Sequence, residues 1–577
     1  MDTRHFVHKR LLHTINDSSP PRVLGDLVSK IKNSLFLNLF FITIVFALFV
    51  IGYRVFESDQ LQYLLLPFRT IYENFCPRDW FVWETSHYHY SFSYLVQFLY
   101  YVSAGHFEIA FFIGWAAVMF GVVYGLYRLT IASGGGFAHY CAVLMMLLLY
   151  SSSSIGDSVV YTNTFIPSGI AFVLTIYACA LLLEDKYVYA LTVLGLAAFV
   201  HINYGVIGFP IFIMYILMTG RPLKIKEIIL GSGIFFILFL PQLVPSVLSF
   251  SGDGEWLGLS YFLRSPHHYD PRVFGWFEWM ETIIPTVLAV WFGIRNFENK
   301  SASCGKEYYN QIVLIGIIAS LSVLVLLFNL FTDILLFYKI YIWRLAPFLL
   351  IFSYGILSRV FISPKQWNKT VITFLLFVLG MTVVLKYGAV KGIIKGAALA
   401  GGIVILRKGF ISKKIAAFYS ITLIVIILVT NGYKDIRIYN RIPEMEWIRN
   451  NTPETALFLT PPDLETVRIS ARRSIIVDLK CAPIGNGSEM HEWKKRLEAV
   501  TASPPLETIG ASGYRLWDVL TDYYLQLTPE QVQSIMEQYG ADYFVTYTTH
   551  RQLVAFENAG FEMLNKSNKI VVFRRKE

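Results

Sequence analysis

The chain has 577 residues, 55% of them hydrophobic and only 15% charged, with a mean hydropathy of +0.51. Soluble domains carry about a quarter charged residues, so the composition excludes an ordinary soluble enzyme. The net charge of +9 comes from basic residues flanking apolar runs rather than from a continuous stripe, which excludes nucleic acid as a partner.

Residues 1–33 are polar and carry Lys9, Arg10, Lys30 and Lys32. They do not read as a cleavable leader and are expected in the cytoplasm. The first apolar run is Ser34 to Tyr53. Similar runs follow, centred near Ala116, Leu147, Thr175, Gly195, Phe212, Phe236, Val290, Ile318, Leu350, Phe377, Ala398 and Ile424. Runs of about 18 to 22 residues cross a ~30 Å hydrocarbon layer, so about thirteen transmembrane helices are expected over 34–430. Lys and Arg set the orientation. The loops "TGRPLKIKE", "RNFENKSASCGKEYYN", "SRVFISPKQWNK" and "RKGFISKK" fall on the side of the N-terminus. "KYGAVKGIIKG" resists the rule, placing Lys386, Lys391 and Lys395 outside, and reads as a re-entrant hairpin or a miscount.

The opposite loops are then external. The first, residues 54–105, contains "RVFESDQLQ", "PRDWF" and "SHYHY". At roughly 50 residues it is long for a connection between membrane helices. Glu57 and Asp59 stand just past the first span, and Asp79, Glu84, His87 and His89 follow. A carboxylate at the mouth of a bundle can take a proton from an acceptor hydroxyl or help hold a divalent cation, Mg or Mn. Alternatively these residues solvate the loop and cap its short helices. Asp59, Asp79, His87 and His89 are the candidate metal ligands.

Further external loops hold "YSSSSIGDSVVYTNT" with Asp157, "RSPHHYDPRVFGW", and "FTDILLFYKIYIWR" with Asp333. Arg344 lies about one turn inside a span, with Lys339 just above it. A charge at that depth costs roughly 2.5–3.5 kcal/mol if it faces lipid, so it is expected to face the bundle interior. Arg344, Lys339 and Arg264 suit a phosphate clamp, and His267 and His268 suit positioning of donor or acceptor. Adjacent histidines diverge on most backbones, which disfavours a metal shared by His267 and His268. His201 in "AFVHINYG" lies near the outer end of an apolar helix, either as a substrate-binding group or as a helix–helix hydrogen bond.

Residues 431–577 read as an external soluble α/β domain. "ALFLTPP", "SIIVDLK", "ADYFVTY" and "KIVVFRR" have strand character. "SEMHEWKKRLEAV" and "TPEQVQSIMEQYG" read as helices, the second with Thr528 and Gln531 as a capping box and Gly540 as its C-cap. No nucleophile–base pair or metal spacing stands out, and a docking or substrate-binding domain is expected. Cys141 and Cys179 fall within spans, Cys304 lies in a basic loop, and Cys76 and Cys481 could share a compartment, although free thiols are the favoured reading over a disulfide between them.

Acids directly after the first span, a long first external loop, many spans and a soluble C-terminal domain on the same side resemble the GT-C superfamily, multispanning glycosyltransferases. The resemblance implies a polytopic α-helical membrane protein that takes a sugar from a polyprenyl-phosphate-linked donor and transfers it, with inversion, to an acceptor glycan, lipid or protein at the external face. It implies Asp59 as catalytic acid, with Glu57 two residues before it, and Asp79 as the second acidic position. The tail is similar to uncharacterised bacterial membrane proteins, which implies a bacterial inner membrane. Two other readings stay open: a non-catalytic scaffold or subunit binding other membrane proteins, and a transporter or flippase, to which the helix break at Gly205 to Pro210 and "GAALAGG" are suited.

Overall fold

A computed structural model describes residues 35–87, 89–150, 153–219, 224–248, 254–298, 305–332, 341–362, 369–407 and 434–576. Lys339, Asp333, Cys304 and the expected span near Ile424 lie outside the described residues.

Among the described residues, five helices are long and apolar enough to cross a membrane: Glu108–Ala132, Ile225–Leu248, Trp276–Arg295, Glu307–Phe331 and Ile342–Ile362. Shorter apolar helices include Leu35–Ile51, Phe137–Leu149, Pro167–Leu183, Tyr187–Val200 and Ile202–Met218. The Lys369–Tyr387 and Ala389–Arg407 helices form an antiparallel hairpin. Apolar residues surround these helices on all sides, as burial in lipid or in a bundle requires. Ile237 and Phe331 remain more than two-thirds exposed on the bundle surface. The segment Ile342–Ile362, whose first turn carries Arg344, is by contrast almost entirely buried and forms the bundle centre.

Two of the three lysines of "KYGAVKGIIKG" are accounted for locally. Lys386 pairs with Glu281 at 2.7 Å, and Lys395 lies 3.8 Å from the centre of the Tyr387 ring. The charges of Lys386 and Lys395 are answered within the bundle, so these two carry little weight in the orientation rule.

The first helix ends in a π-turn, Ala47–Ile51, followed by Gly52 at φ 71°. A Cβ here would come within 2.7 Å of the Asp435 carbonyl oxygen. Only glycine satisfies both the backbone conformation and this approach. Directly beyond it Tyr53–Arg54 pairs in parallel with Ile436–Arg437. The start of the tail is therefore stitched to the exit of the first helix, and tail and first loop share one side.

The tail is a five-stranded mixed sheet, ordered Ser474–Ile475, Leu457–Leu459, Tyr543–Tyr547, Ile570–Arg575, Phe561–Lys566. The first three strands run parallel and the last two pair antiparallel. Phe458, Ile475, Val545 and Val572 fill one face; Leu457, Leu459, Phe544 and Phe573 fill the other. The Pro529–Tyr539 helix carries the expected Thr528–Gln531 capping box and the left-handed Gly540. The edge strand Phe561–Lys566 was not expected, because its "FEMLNK" alternation is mostly half-buried and polar. "SIIVDLK" contributes only Ser474–Ile475 to the sheet. Its remainder leaves the ladder and delivers Asp478 and Lys480 toward the first loop.

That junction is anchored by buried charge. Arg468 Nε donates to Asp79 Oδ2 at 2.7 Å, and its Nη1 donates to Asp478. All three side chains are at most 1% exposed. Around them, Ser86 N and Oγ donate to Glu489 at 2.9 and 2.7 Å, and Arg78 pairs with Asp542 at 2.7 Å. Cys76 and Cys481 are both buried free thiols, as the favoured reading had it.

Candidate active site

Asp59 is the last residue before a short helix, Gln60–Tyr63. The turn leading into it carries Phe56 and Ser58 at positive φ. It is held by the fully buried Gln60, whose Oε1 accepts from Phe56 N (2.8 Å) and whose Nε2 donates to the Phe165 carbonyl (3.0 Å). Asp59 makes no capping hydrogen bond, and its carboxylate turns outward to Lys480, whose Nζ donates to Oδ1 at 2.8 Å.

A cavity of about 510 Å³ opens here, between the bundle, the first loop and the tail. Asp59 and Asp157 are its acids; Arg264, Arg344 and Lys480 are its cations; His267 and His268 complete the charged wall. Tyr514 and Trp517, from the Tyr514–Tyr524 helix of the tail, stand beside them. Asp59 lies deep in the molecule, yet its side chain is 45% exposed because it faces this space. Burial works to raise its pKa. The Lys480 charge and hydrogen bond, then His268 and Arg344, outweigh burial and hold it below the ordinary carboxylate value.

The two guanidiniums are poised for an anion. Arg344 lies 4.6 Å over the Tyr341 ring and makes no ion pair among the described residues. Arg264 donates through Nη2 to the Lys480 carbonyl (3.1 Å). The Nε of each is buried without a hydrogen-bond partner among the described residues. Buried donors left unmet cost free energy unless a ligand meets them.

His267 and His268 sit on the one-turn helix Pro266–Tyr269, and their rings do not diverge as expected. Their centres lie 4.2 Å apart, and ligand atoms of Asp157, His267 and His268 fall within 4.8 Å of one another. The cause is the hairpin opposite. Gly156 (φ 75°) and Asp157 (φ 50°) turn tightly against Trp343, where a Cβ on Gly156 would meet Trp343 Cβ at 2.6 Å. The Gly156 carbonyl lies 3.2 Å from His268 Nδ1 and accepts from Tyr341 Oη at 2.8 Å. This network suits a proton on His268 Nδ1 and leaves Nε2 as a lone pair. Burial, then Arg264 and Lys480, push His267 down to about 4; burial, then His267 and Arg344, push His268 down to about 3. Both imidazoles are thus neutral at pH 7. Two neutral imidazoles and a carboxylate fit a divalent transition ion such as zinc or manganese better than magnesium. His267 Nδ1 is buried and has no partner among the described residues.

The other sequence candidates lie elsewhere. Asp79 does not face the cavity. Its oxygens accept from Arg468, Ile475 N (3.0 Å) and Val82 N (3.2 Å), so it caps the Trp80–Glu84 helix and locks the tail. This corrects its expected place as second acid and as metal ligand, because no lone pair is directed at the solvent. Glu57 pairs with Arg54 at 3.0 Å and is not in the cavity wall. His87 Nε2 is bonded to the Val82 carbonyl at 3.1 Å. His89 and His201 are buried against each other, ring centres 4.8 Å apart, under the cavity floor rather than in it. His89, like His87, is therefore no partner for Asp59 around a metal. Lys480, Tyr514 and Trp517 had not been singled out. One signal was available for Lys480: it lies just beyond the carboxyl end of a parallel strand, where ligands of α/β sheets gather.

A profile described as a domain of unknown function (DUF6798) matches residues 442–500, a stretch that includes Arg468 and Lys480. No curated protein matches. Among solved structures, the chain is similar to the Archaeoglobus fulgidus oligosaccharyltransferase tethered with an acceptor peptide containing the NVT sequon, at 11% identity and a TM-score of 0.48, over 90% of this chain and 70% of that one. It is similar to ArnT from Cupriavidus metallidurans bound to undecaprenyl phosphate, at 12% identity and a TM-score of 0.48, over 93% of this chain and 97% of that one. It is also similar to the A. fulgidus oligosaccharyltransferase in complex with Zn and sulfate, at 12% identity and a TM-score of 0.42, over 89% of this chain and 68% of that one.

Proposed function

We propose that this chain is an integral membrane glycosyltransferase of GT-C type that transfers a sugar from a polyprenyl-phosphate-linked donor to an acceptor at the external face. The observation that carries the reading is the convergence of Asp59 with Arg344, Arg264 and Lys480 on one cavity at the junction of bundle and tail. Arg344 and Arg264 bind the donor phosphate. The acceptor hydroxyl attacks the anomeric carbon on the face opposite the phosphate, the C–O bond to phosphate breaks, and its electron pair goes to the phosphate oxygen. The acceptor proton passes to Asp59, which is ionised at neutral pH. Negative charge grows on the leaving phosphate, where fixed cations stabilise it most. Asp157, His267 and His268 would hold a divalent cation, which would supply Lewis-acid stabilisation of phosphate oxygen. Glu57 and Asp79 support the fold around the site and take no part in transfer.

The tail, the first loop and the cavity then face the periplasm, and the sequence rule for basic loops puts the N-terminus in the cytoplasm. A scaffold reading predicts acids spent in salt bridges with no hollow left between them. Asp79 fits that pattern, whereas Asp59, though paired with Lys480, keeps its side chain 45% exposed on the open cavity.

The test is reconstitution of the purified chain in liposomes with a polyprenyl-phosphate-linked sugar and an external acceptor. Asp59→Asn should lower transfer by about 10²-fold or more while insertion and melting stay unchanged. Full activity in that variant overturns the assignment.

A further inference from the structure

A second cavity, of about 460 Å³, opens at another part of the seam between first loop and tail, and none of its wall residues is shared with the first. Arg449, Arg472 and Arg473 all border it. Arg473 is 3% exposed and spent on backbone: Nη2 donates to the Arg449 and Thr452 carbonyls, each at 2.6 Å, and Nε donates to Thr452 Oγ1 at 3.0 Å. It fixes the end of the Pro443–Asn451 helix, which carries Arg449, against the turn that carries Arg472. Arg472 is left-handed (φ 53°, ψ 48°), a conformation that non-glycine residues hold only when their surroundings impose it. Its guanidinium lies 3.7 Å over the Tyr72 ring, an arrangement that leaves in-plane N–H groups for an oxyanion.

Neither Arg449 nor Arg472 has an ion-pair partner among the described residues. Burial lowers the Arg472 pKa from its ordinary value; Tyr72 opposes this and the Arg449 charge adds to the fall. Two cations are thus held together by bracing that serves no ion pair. The cavity is within the range of small-molecule sites, about 300–1,000 Å³, and is larger than a bare oxyanion needs. Asn74, Asn450, Glu73 and Glu454 also border it and offer the amide and carboxylate groups that sugar hydroxyls bond to.

We propose that this pocket binds an anionic saccharide, with Arg449 and Arg472 gripping its carboxylate or phosphate and the amides and carboxylates meeting its hydroxyls. The site stands independently of the transfer reaction. It would seat a charged glycan on the same side of the protein as the first cavity.

The test is isothermal titration of the full-length chain in detergent with four probes. They are a disaccharide ending in a uronic acid, the same disaccharide reduced to its neutral alcohol, glucose 6-phosphate, and inorganic phosphate. The expected result is binding of the uronate or the sugar phosphate, at least tenfold tighter than the neutral disaccharide and than inorganic phosphate. Arg472→Gln should weaken it at least tenfold. Arg449→Gln, at an exposed helix end, should do the same and serves where Arg472→Gln lowers the melting temperature. The proposal is overturned by absence of binding, by equal binding of the neutral disaccharide, by equally tight inorganic phosphate, or by unchanged affinity in both variants. An Asp59→Asn chain that has lost transfer should keep this binding, which separates the two sites.

Discussion

Lys480 Nζ stands 2.8 Å from Asp59 Oδ1 across 421 residues of sequence. The contact joins the first loop to the tail at the very carboxylate proposed as the base. It makes the tail part of the cavity wall, with Lys480, Tyr514 and Trp517 facing the same space as Asp59. It also sets the ionisation of Asp59, because without Lys480 the largest remaining influence is burial, which raises a carboxyl pKa.

The pH dependence follows from that balance. In the wild type the Asp59 carboxyl is held below its ordinary value of 3.8, so the proton-accepting form persists to low pH. The acid limb of kcat/KM should lie below that value. In Lys480→Gln the main lowering influence is lost, leaving the weaker ones of His268 and Arg344, and the limb should move upward. Loss of a cation near the leaving phosphate should also cost on the order of 10²-fold in kcat at neutral pH. A pH–rate profile with an unmoved acid limb would separate Lys480 from Asp59.

The His–His–Asp cluster makes a binding prediction independent of turnover. The full chain, equilibrated with zinc or manganese and then desalted, should retain about one ion per chain by elemental analysis. His267→Ala and Asp157→Asn should each remove it, and Asp79→Asn should not. Retention of the ion in His267→Ala would move the metal elsewhere.

Much of this was legible in the sequence. Twelve of the expected spans fall on helices, since long apolar runs leave few alternatives, and the basic segment 264–268 was singled out beside Arg344. What the sequence hid was convergence. Asp59 and Asp79 look alike on paper, both acids flanking short helices in one loop. Their fates differ because Asp79 meets Arg468, 389 residues away, in a sealed ion-pair network, whereas Asp59 meets Lys480, 421 residues away, at the wall of an open cavity. The convergence of His267 and His268 was hidden too, because it depends on the Gly156 carbonyl fixing one ring. Local patterns report which residues are polar. They do not report which distant partner satisfies them.

The buried Arg468 network should be a stability element. Removing one partner of a buried ion pair leaves an uncompensated charge and costs about 3–5 kcal/mol. Arg468→Met strands Asp79 and Asp478 together, so it should release the tail from the first loop. Limited proteolysis of that variant should clip the chain between residues 440 and 480 faster than wild type. Asp79→Asn keeps two hydrogen-bond acceptors' worth of geometry only in part and should show a smaller change in the same direction. An unchanged proteolysis rate in Arg468→Met would mean that the tail is held by the sheet contact at Tyr53–Arg54 and the surface pairs alone.

Glu465 gives a prediction with the opposite sign. It is mostly buried, its Oε1 has no hydrogen-bond partner among the described residues, and burial, then Asp478, push its pKa up from 4.5 to about 7. A carboxyl whose pKa rises on folding favours the folded state while it is protonated in both states, below about 4.5. That contribution is lost progressively as pH rises from about 4.5 to about 7, because the unfolded chain releases the proton first. Glu465→Gln removes the ionisation while keeping the shape. The variant should therefore melt higher than wild type at pH 8, by on the order of a few kcal/mol of stability, and match it at pH 4. Equal melting temperatures at pH 8 would show that Lys480 and Arg264, the cations acting on this carboxyl, already stabilise its charged form in the folded chain.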